Sequence, residues 1–325
     1  CAVAALEAGA DWLGVAQVRE ALALRAAGIT APVLCLMAIP GEPYEEAIKA
    51  RIDVSAGSTR AVTEIVAAAA RAGQPARVHL KADTGLSRGG ATAGEWPAVV
   101  NAALAGQAAG HLEVTGLWSH FAGADLPGHP SLGRQLDAFG LAIEGAEKAG
   151  ARPEVRHISN TAAVLTLPAA RFDLVRPGGA VYGLSTLPGG PPPELRPAMT
   201  LRTRLAQVKR VAAGTGVSYG HRYVTAAAAT LGLLPLGYAD GVPRTAAGRA
   251  LVQARGRRWK VAGTVCMDQF VVDLSSEPAE AGDEVILFGP GDDGEPTAQE
   301  WADTLGTISY QIVTGIGNRI ARVYS

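Results

Sequence analysis

Aromatic residues make up only 5% of the 325 residues, charged residues only 18%, and cysteine occurs three times. Each scarcity excludes something. Acidic and basic side chains number 30 and 29, a net charge of −1. The chain therefore has no surplus of cations with which to neutralise nucleic-acid phosphates or to lie on an anionic membrane. Cys1, Cys35 and Cys266 are odd in number and far apart, which excludes a disulfide framework and a zinc cluster. No run of roughly eighteen apolar residues occurs, so no segment reads as spanning a bilayer. The GxxxxGK[ST] phosphate loop is also missing, and no GxGxxG loop is expected after a strand. What remains is 48% hydrophobic, largely Ala and Val, and can bury enough apolar surface to offset its ordering entropy. A globular, cytoplasmic protein is expected.

Up to residue 196, short β-rich runs alternate with Ala-, Leu- and Glu-rich segments. Strands are predicted at 12–16, 33–38, 52–55, 77–83, 114–121, 155–159 and 173–176. Helices are predicted at 18–27, 59–72, 98–108 and 132–149, with Gly28, Gly73, Gly110 and Gly150 where a left-handed cap ends a helix. Such alternation implies right-handed crossovers and a parallel sheet. Seven strands, led by a helix that should itself follow a strand, suggest a (β/α)8 barrel of the TIM type lacking its first strand. A doubly wound open sheet is the rival. The chain opens on Cys1, and CAVAALEAGA reads as mid-helix with Glu7 inside its apolar run. It is not a signal peptide, and the true N-terminus is expected to lie upstream.

At 187–197 the composition changes to LPGGPPPELRP, a turn-rich stretch that no helix tolerates. Beyond it lie β-rich runs at 201–211, 226–236, 250–254, 259–265, 270–274 and 284–288. Turn clusters such as Gly289-Pro290-Gly291-Asp292-Asp293-Gly294 join them, and one late helix is predicted at 298–304. Two domains are expected, 1–196 and 197–325.

In a barrel the working residues gather at the C-terminal ends of the strands. The fourth predicted strand runs into Lys81-Ala82-Asp83-Thr84-Gly85-Leu86-Ser87-Arg88 and the fifth ends in Ser119-His120-Phe121. The sixth ends in His157-Ile158-Ser159-Asn160-Thr161 and the seventh in Arg176-Pro177-Gly178-Gly179. A hydroxyl at a helix start and a glycine pair resemble a phosphate cradle. Plainer readings stand beside these. The glycine pair fits an ordinary turn, His120 fits a core histidine, and Arg176 would serve as a partner for Asp173 or another barrel carboxylate. Lys81 is harder to dismiss, because an inward lysine must find a partner or shift its pKa.

The motifs HLKADTGLSRGG, GLWSHFAGAD, HISNTAAVL, VRPGGAVYGLS, GVSYGHRY, PLGYADGVPR, GTVCMDQF and TISYQIVTGIGNRIARVY occur in that order. In this the chain resembles the bacterial alanine racemases along essentially its whole length. The resemblance implies a pyridoxal 5′-phosphate enzyme that interconverts L- and D-alanine by a two-base mechanism and supplies D-alanine for peptidoglycan. It also implies a homodimer whose active sites are completed across subunits. By the same resemblance Tyr219 is the base on one face of the substrate. A phenol needs a cationic neighbourhood to ionise, and His120 and Arg176 are implied as its hydrogen-bonded chain. Arg176 would also face the pyridine nitrogen. Thr161, Gly178, Gly179 and Tyr310 would bind phosphate, and His157 would join the cofactor contacts. Arg88 would meet the substrate carboxylate and the cofactor's phenolic oxygen, oriented by Lys81 as a carbamylated lysine. Met267, Tyr238 and Asp268 would face the substrate, Tyr238 at the entryway. No metal is implied.

The departures matter equally. The family's cofactor lysine lies in a KANAYGHG-like motif, and none occurs here. Lys81 stands in the distinct KADTG motif, so the chain as given is expected to be inactive for want of that lysine. Thr161 replaces the more usual serine and keeps the hydroxyl. Gly179 replaces a larger apolar residue, which implies a looser phosphate loop. Three rivals remain: a broad-specificity amino-acid racemase, a decarboxylase of basic amino acids, and a non-catalytic pyridoxal-phosphate-binding barrel. Arg176 argues against the decarboxylase, which needs a carboxylate at the ring nitrogen. The β module argues against the non-catalytic barrel.

Overall fold

The computed structural model describes residues 1–190, 192 and 194–324, so Pro191 and Pro193 of the turn-rich stretch lie outside the described residues. The chain divides into two compact units, Cys1–Gly178 and Gly179–Ser325. That division falls earlier in the chain than the composition change at 187–197.

The first unit alternates helices with strands. Its helices are α1 (Ala2–Glu7), α2 (Val18–Ala26), α3 (Tyr44–Lys49), α4 (Thr59–Ala72), α5 (Trp96–Ala108), α6 (Ser131–Ala149) and α7 (Thr161–Thr166). Its strands are β1 (Leu13–Val15), β2 (Val33–Cys35), β3 (Asp53–Ala56), β4 (Ala76–Lys81), β5 (Leu112–Trp118) and β6 (Val155–His157). All neighbours pair in parallel, in the order β1-β2-β3-β4-β5-β6. Each crossover therefore advances one strand in the same direction. A doubly wound sheet would reverse its order at a switch point, and this one does not. The arrangement is barrel-like.

Local chemistry explains the elements. Ser58 caps α4 by accepting from the Ala61 amide, Val62, Ile65, Ala68 and Ala69 form its buried stripe, and Gly73 ends it in the left-handed region. Strands β2 and β3 are buried at every residue, as parallel strands covered on both faces must be. The predicted seventh strand is reduced to a parallel bridge between Arg176 and Asn160. The Asp173 and Arg176 amides still donate to the Arg156 and Ser159 carbonyls, but Pro177 has no N–H with which to continue the ladder.

The second unit is antiparallel. Its strands are β7 (Leu201–Arg204), β8 (Gln207–Val211), β9 (Gly216–Val217), β10 (Tyr223–Val224), β11 (Ala229–Leu234), β12 (Leu251–Ala254), β13 (Arg257–Ala262), β14 (Phe270–Asp273) and β15 (Glu284–Phe288). Seven of them form one sheet in the order β7-β15-β12-β13-β14-β11-β8, while β9 and β10 form a separate hairpin. The run predicted at 201–211 is thus two strands. Leu205 and Ala206 carry the chain from one edge of the sheet to the other, donating to Asp283 and Leu233 respectively. Because its edge strands are consecutive in sequence, this sheet has to curl. Two late helices follow rather than one, α8 (Ala298–Leu305) and α9 (Ser309–Thr314). A Thr297–Glu300 capping box starts α8, and its Trp301 packs edge-on against Phe288 in a core with Leu234, Val252, Val261, Phe270 and Val285.

Contrary to the expectation that no GxGxxG follows a strand, Gly289, Gly291 and Gly294 have that spacing directly after β15. The buried Glu295 fills it instead, accepting from the Gly291 and Asp293 amides at 2.7 and 3.0 Å. The loop supplies its own anion.

Candidate active site

In the first unit the structure gathers Lys81, His120, His157 and Arg176 at the C-terminal ends of β4, β5 and β6, with Trp118 as their common floor. The Trp118 ring stacks on His157, with centroids 5.7 Å apart and planes 9° from parallel. Lys81 Nζ lies 4.3 Å and the Arg176 guanidinium 4.9 Å from the same indole, whose Nε1 donates to Ser55 Oγ. Cation–π attraction holds both charges in place.

Arg176 has no carboxylate partner among the described residues. Its guanidinium donates to His157 Nδ1, to the Ser119 and Ile158 carbonyls at 2.8 and 3.1 Å, and to His120 Nδ1 at 3.4 Å. Asp173, its plainer partner by sequence, is engaged by Arg156 instead. Desolvation pushes the Arg176 pKa below its ordinary value. Burial, then the charges of Arg88 and Arg176, lower Lys81 to about 8. Burial, then Arg176, Arg88 and Lys81, lower His120 to about 4, so that imidazole is neutral near pH 7. The site is a cluster of like-signed charges separated by neutral rings, and it calls for an anion.

Behind Arg176 runs a buried chain that the sequence did not reveal. An arginine only donates, so His157 Nδ1 must accept and its Nε2 must carry the proton. That proton faces His79 Nδ1 at 2.9 Å, and His79 Nε2 faces Asp53 Oδ2 at 3.3 Å. Asp53 is held in turn by Arg77 at 3.0 Å, and Arg77 by Glu154 at the surface. His157 was expected to touch cofactor. It is fully buried with both ring nitrogens committed, so it supports Arg176 from behind. Gly116 makes the chain possible, because a Cβ there would occupy the His79 ring.

Arg88 is exposed, at the end of a turn drawn together by Asp83, whose Oδ1 accepts from the Gly85, Leu86 and Ser87 amides at 2.9, 3.1 and 3.1 Å. Thr161 is buried at the start of α7, capped by Asn160. The Asn160–Arg176 bridge ties the start of α7 to the segment that leads into Gly178. The Gly178 amide folds back onto the Arg176 carbonyl at 2.9 Å.

The second unit assembles the remaining candidates on the loop 263–268. Ser218 lies in the left-handed region (φ 62°), where a non-glycine residue is strained, and its Oγ is pinned to the Thr264 carbonyl at 2.7 Å. Thr264 Oγ1 reaches back to the Tyr219 carbonyl at 3.0 Å, leaving the Tyr219 side chain 73% exposed. From the other side the Tyr238 and Ala239 amides donate to the Cys266 and Met267 carbonyls at 3.0 and 2.9 Å. Tyr219, Tyr238 and Met267 thus project from one backbone knot, and all three are exposed, Tyr238 the least at 44%. Asp268 is tied by Arg319 at 2.8 Å, and the same arginine reaches the buried Asp240. Arg319, in the GIGNR segment, was not foreseen. The Tyr310 phenol lies where a Cβ of residue 179 would project. Gly179 therefore admits that ring rather than loosening the loop.

Fold and sites together define an enzyme of two units: a barrel-like parallel sheet with an anion-receiving cluster at its strand ends, and an antiparallel unit that presents tyrosines. Comparison with known proteins gives the family. Residues 1–186 match the family described as "Alanine racemase, N-terminal domain", and residues 198–324 match "Alanine racemase, C-terminal domain". The chain is 59% identical over 327 residues to a protein of Frankia casuarinae named alanine racemase, covering 100% of this chain and 85% of that one. A namesake from Thermobifida fusca is 58% identical over 322 residues, covering 99% and 86%. Among solved structures, alanine racemase from Streptomyces coelicolor A3(2) superposes with a TM-score of 0.98 at 55% identity, covering 100% of this chain and 87% of that one. This chain belongs to the alanine racemase family.

Proposed function

We propose that the protein interconverts L- and D-alanine with pyridoxal 5′-phosphate and two bases on opposite faces of the substrate, its D-alanine serving peptidoglycan. The cluster of Lys81, Arg88 and Arg176 around neutral imidazoles, with none of the three cations ion-paired to a carboxylate among the described residues, carries this reading. Its donor set fits the cofactor. Cations and amides suit a phosphate ester and an amino-acid carboxylate. An arginine, which neither takes up nor gives away a proton near neutrality, suits an unprotonated pyridine nitrogen. Thr161, Gly178, Gly179 and Tyr310 would hold the phosphate, Arg176 the ring nitrogen, backed by His157, and Arg88 the phenolic oxygen. When bound, the cofactor supplies an electron sink that acidifies the α-carbon.

The chain's own residues do the rest. Arg88 and the Met267 amide orient the substrate carboxylate. Tyr219 takes or returns the α-proton at its phenol oxygen. His120 accepts from Arg176 at Nδ1, so its protonated Nε2 is available to that oxygen. Tyr238 and Asp268 narrow the substrate entry. We assign residues 1–196 to the cofactor-binding barrel domain and 197–325 to the β domain. In a homodimer, Tyr219 and Met267 serve the barrel of the partner subunit.

The second base in the family is the cofactor lysine, and none of the five lysines here stands in its motif. We infer that residues 1–325 by themselves neither bind the cofactor covalently nor racemise alanine. The test is polarimetric. The cofactor-loaded protein, expressed with a KANAYGHG-bearing segment, should carry L-alanine to zero optical rotation. Unchanged rotation would refute the reading.

A further inference from the structure

Helix α6 buries Leu132, Gln135, Phe139, Ile143 and Ala146 along one face. Four of these are what a core-facing stripe requires. Gln135, 1% exposed, is not. A buried amide costs free energy unless its polar atoms are bonded, and here both are. Oε1 accepts from the Ala122 amide at 2.9 Å. Nε2 donates to the His120 carbonyl at 3.1 Å and to Thr84 Oγ1 at 3.2 Å. The hydrogen-bond direction continues beyond it. Ser119 Oγ donates to the Ala82 carbonyl at 2.9 Å, so the 2.8 Å contact between Thr84 and Ser119 runs from the Thr84 hydroxyl to the Ser119 oxygen. Gln135, Thr84 and Ser119 form a one-way chain ending on β4's continuation.

Two loops are joined by that chain. One carries His120 and presents the Ser119 carbonyl to Arg176. The other is the Asp83 turn that leads to Arg88. We infer that Gln135 is a positioning residue for the reaction: it locks the His120 loop to the Arg88 loop, so that the imidazole beside Arg176 and the carboxylate-binding arginine keep a fixed relation. The inference rests on the racemase reading, since it gives those loops their tasks.

Two substitutions in the cofactor-loaded, racemising protein test it. Gln135→Met keeps the volume and removes donors and acceptor. Its kcat/KM should fall roughly tenfold to a hundredfold, the usual cost of a misplaced catalytic group. Gln135→Glu keeps the acceptor for Ala122 but donates only when protonated. Its activity should climb relative to wild type as the pH falls, because the acid form regains a bond to Thr84 or His120. Asp83 and His120, the titratable neighbours, are common to both proteins and cancel in that ratio. Amide hydrogen exchange supplies a readout apart from activity: Ala122 should exchange faster in Gln135→Met and at the wild-type rate in Gln135→Glu. Full activity in Gln135→Met, or a wild-type pH profile in Gln135→Glu, overturns the assignment. If Gln135→Met does not fold, the Gln135→Glu profile decides alone. Failure of the unsubstituted, cofactor-loaded protein to racemise alanine when expressed with the KANAYGHG-bearing segment would refute the racemase reading, and the exchange rates would still report whether Gln135 locks the loops.

Discussion

Replacing Lys81 with methionine removes a half-buried ammonium that no carboxylate pairs with among the described residues. Burial, then the charges of Arg88 and Arg176, move its pKa from 10.5 to about 8. That gap corresponds to about 3.4 kcal/mol between the two protonation states. Solvent screening at a half-exposed site cuts it to about 1.5 kcal/mol, and the cation–π contact with Trp118 returns about 0.5. The net penalty is about 1 kcal/mol. A lysine whose pKa is depressed on folding binds fewer protons in the folded state between pH 8 and 10.5. The penalty is therefore fully present below pH 8 and disappears as the pH approaches 10.5. Lys81→Met should be more stable than its parent by about 1 kcal/mol at pH 7, or about 2 °C in melting midpoint, and lose that advantage in strong alkali. Carbon dioxide adds a second arm. We propose that the neutral Lys81 amine adds to CO2 with release of a proton, which would leave a carbamate anion facing Arg88 and Arg176. Bicarbonate should then stabilise the parent, leave Lys81→Met unmoved, and give a carbamate carbon resonance when 13C-labelled. A methionine variant less stable than its parent at pH 7 in CO2-free buffer would refute the electrostatic reasoning. Equal bicarbonate shifts in both proteins would refute the carbamate.

Tyr219→Phe keeps the exposed ring and loses the phenol; racemisation of both enantiomers should fall by at least a thousandfold with cofactor retained. Both directions must fall alike, because L- and D-alanine are equal in energy; wild-type-like turnover would remove Tyr219 from the mechanism. Mixing Tyr219→Phe protein with Arg88→Ala protein should restore up to about a quarter of full activity in hybrid dimers, since one site in each hybrid is intact. No restoration after subunit exchange would mean that each chain serves its own site. His79→Leu leaves the His157 Nε2 proton without an acceptor, which should cost about 1–3 kcal/mol of stability and lower kcat about tenfold with less effect on KM. Unchanged stability and kcat would show that the Asp53–His79 pair does not support Arg176.

The strand ends were legible because they combine a local pattern with a topological rule. Lys81, His120, His157 and Arg176 each follow a short β-rich run, and a parallel barrel collects such ends on one rim. Their partners were not legible. Asp53 and His79 read as ordinary strand residues, and nothing in their immediate sequence indicates that the two meet, or that His79 meets a histidine 78 positions later. Gly116 carried no visible signal either, since its meaning lies in the His79 ring that occupies the space of its missing Cβ. Arg319 and Gln135 escaped for the same reason: one bridges Asp240 and Asp268, the other two loops contributed by different strands. The second unit shows the opposite limit. Short runs of β-branched residues located most of its strands, but not the break at Leu205–Ala206, because two strands at opposite edges of one sheet are continuous in composition. Local pattern specifies which segment ends where. The pairing of buried polar groups is decided by register and sheet order, and in this chain that pairing sets which ring nitrogen of His157 carries the proton behind Arg176.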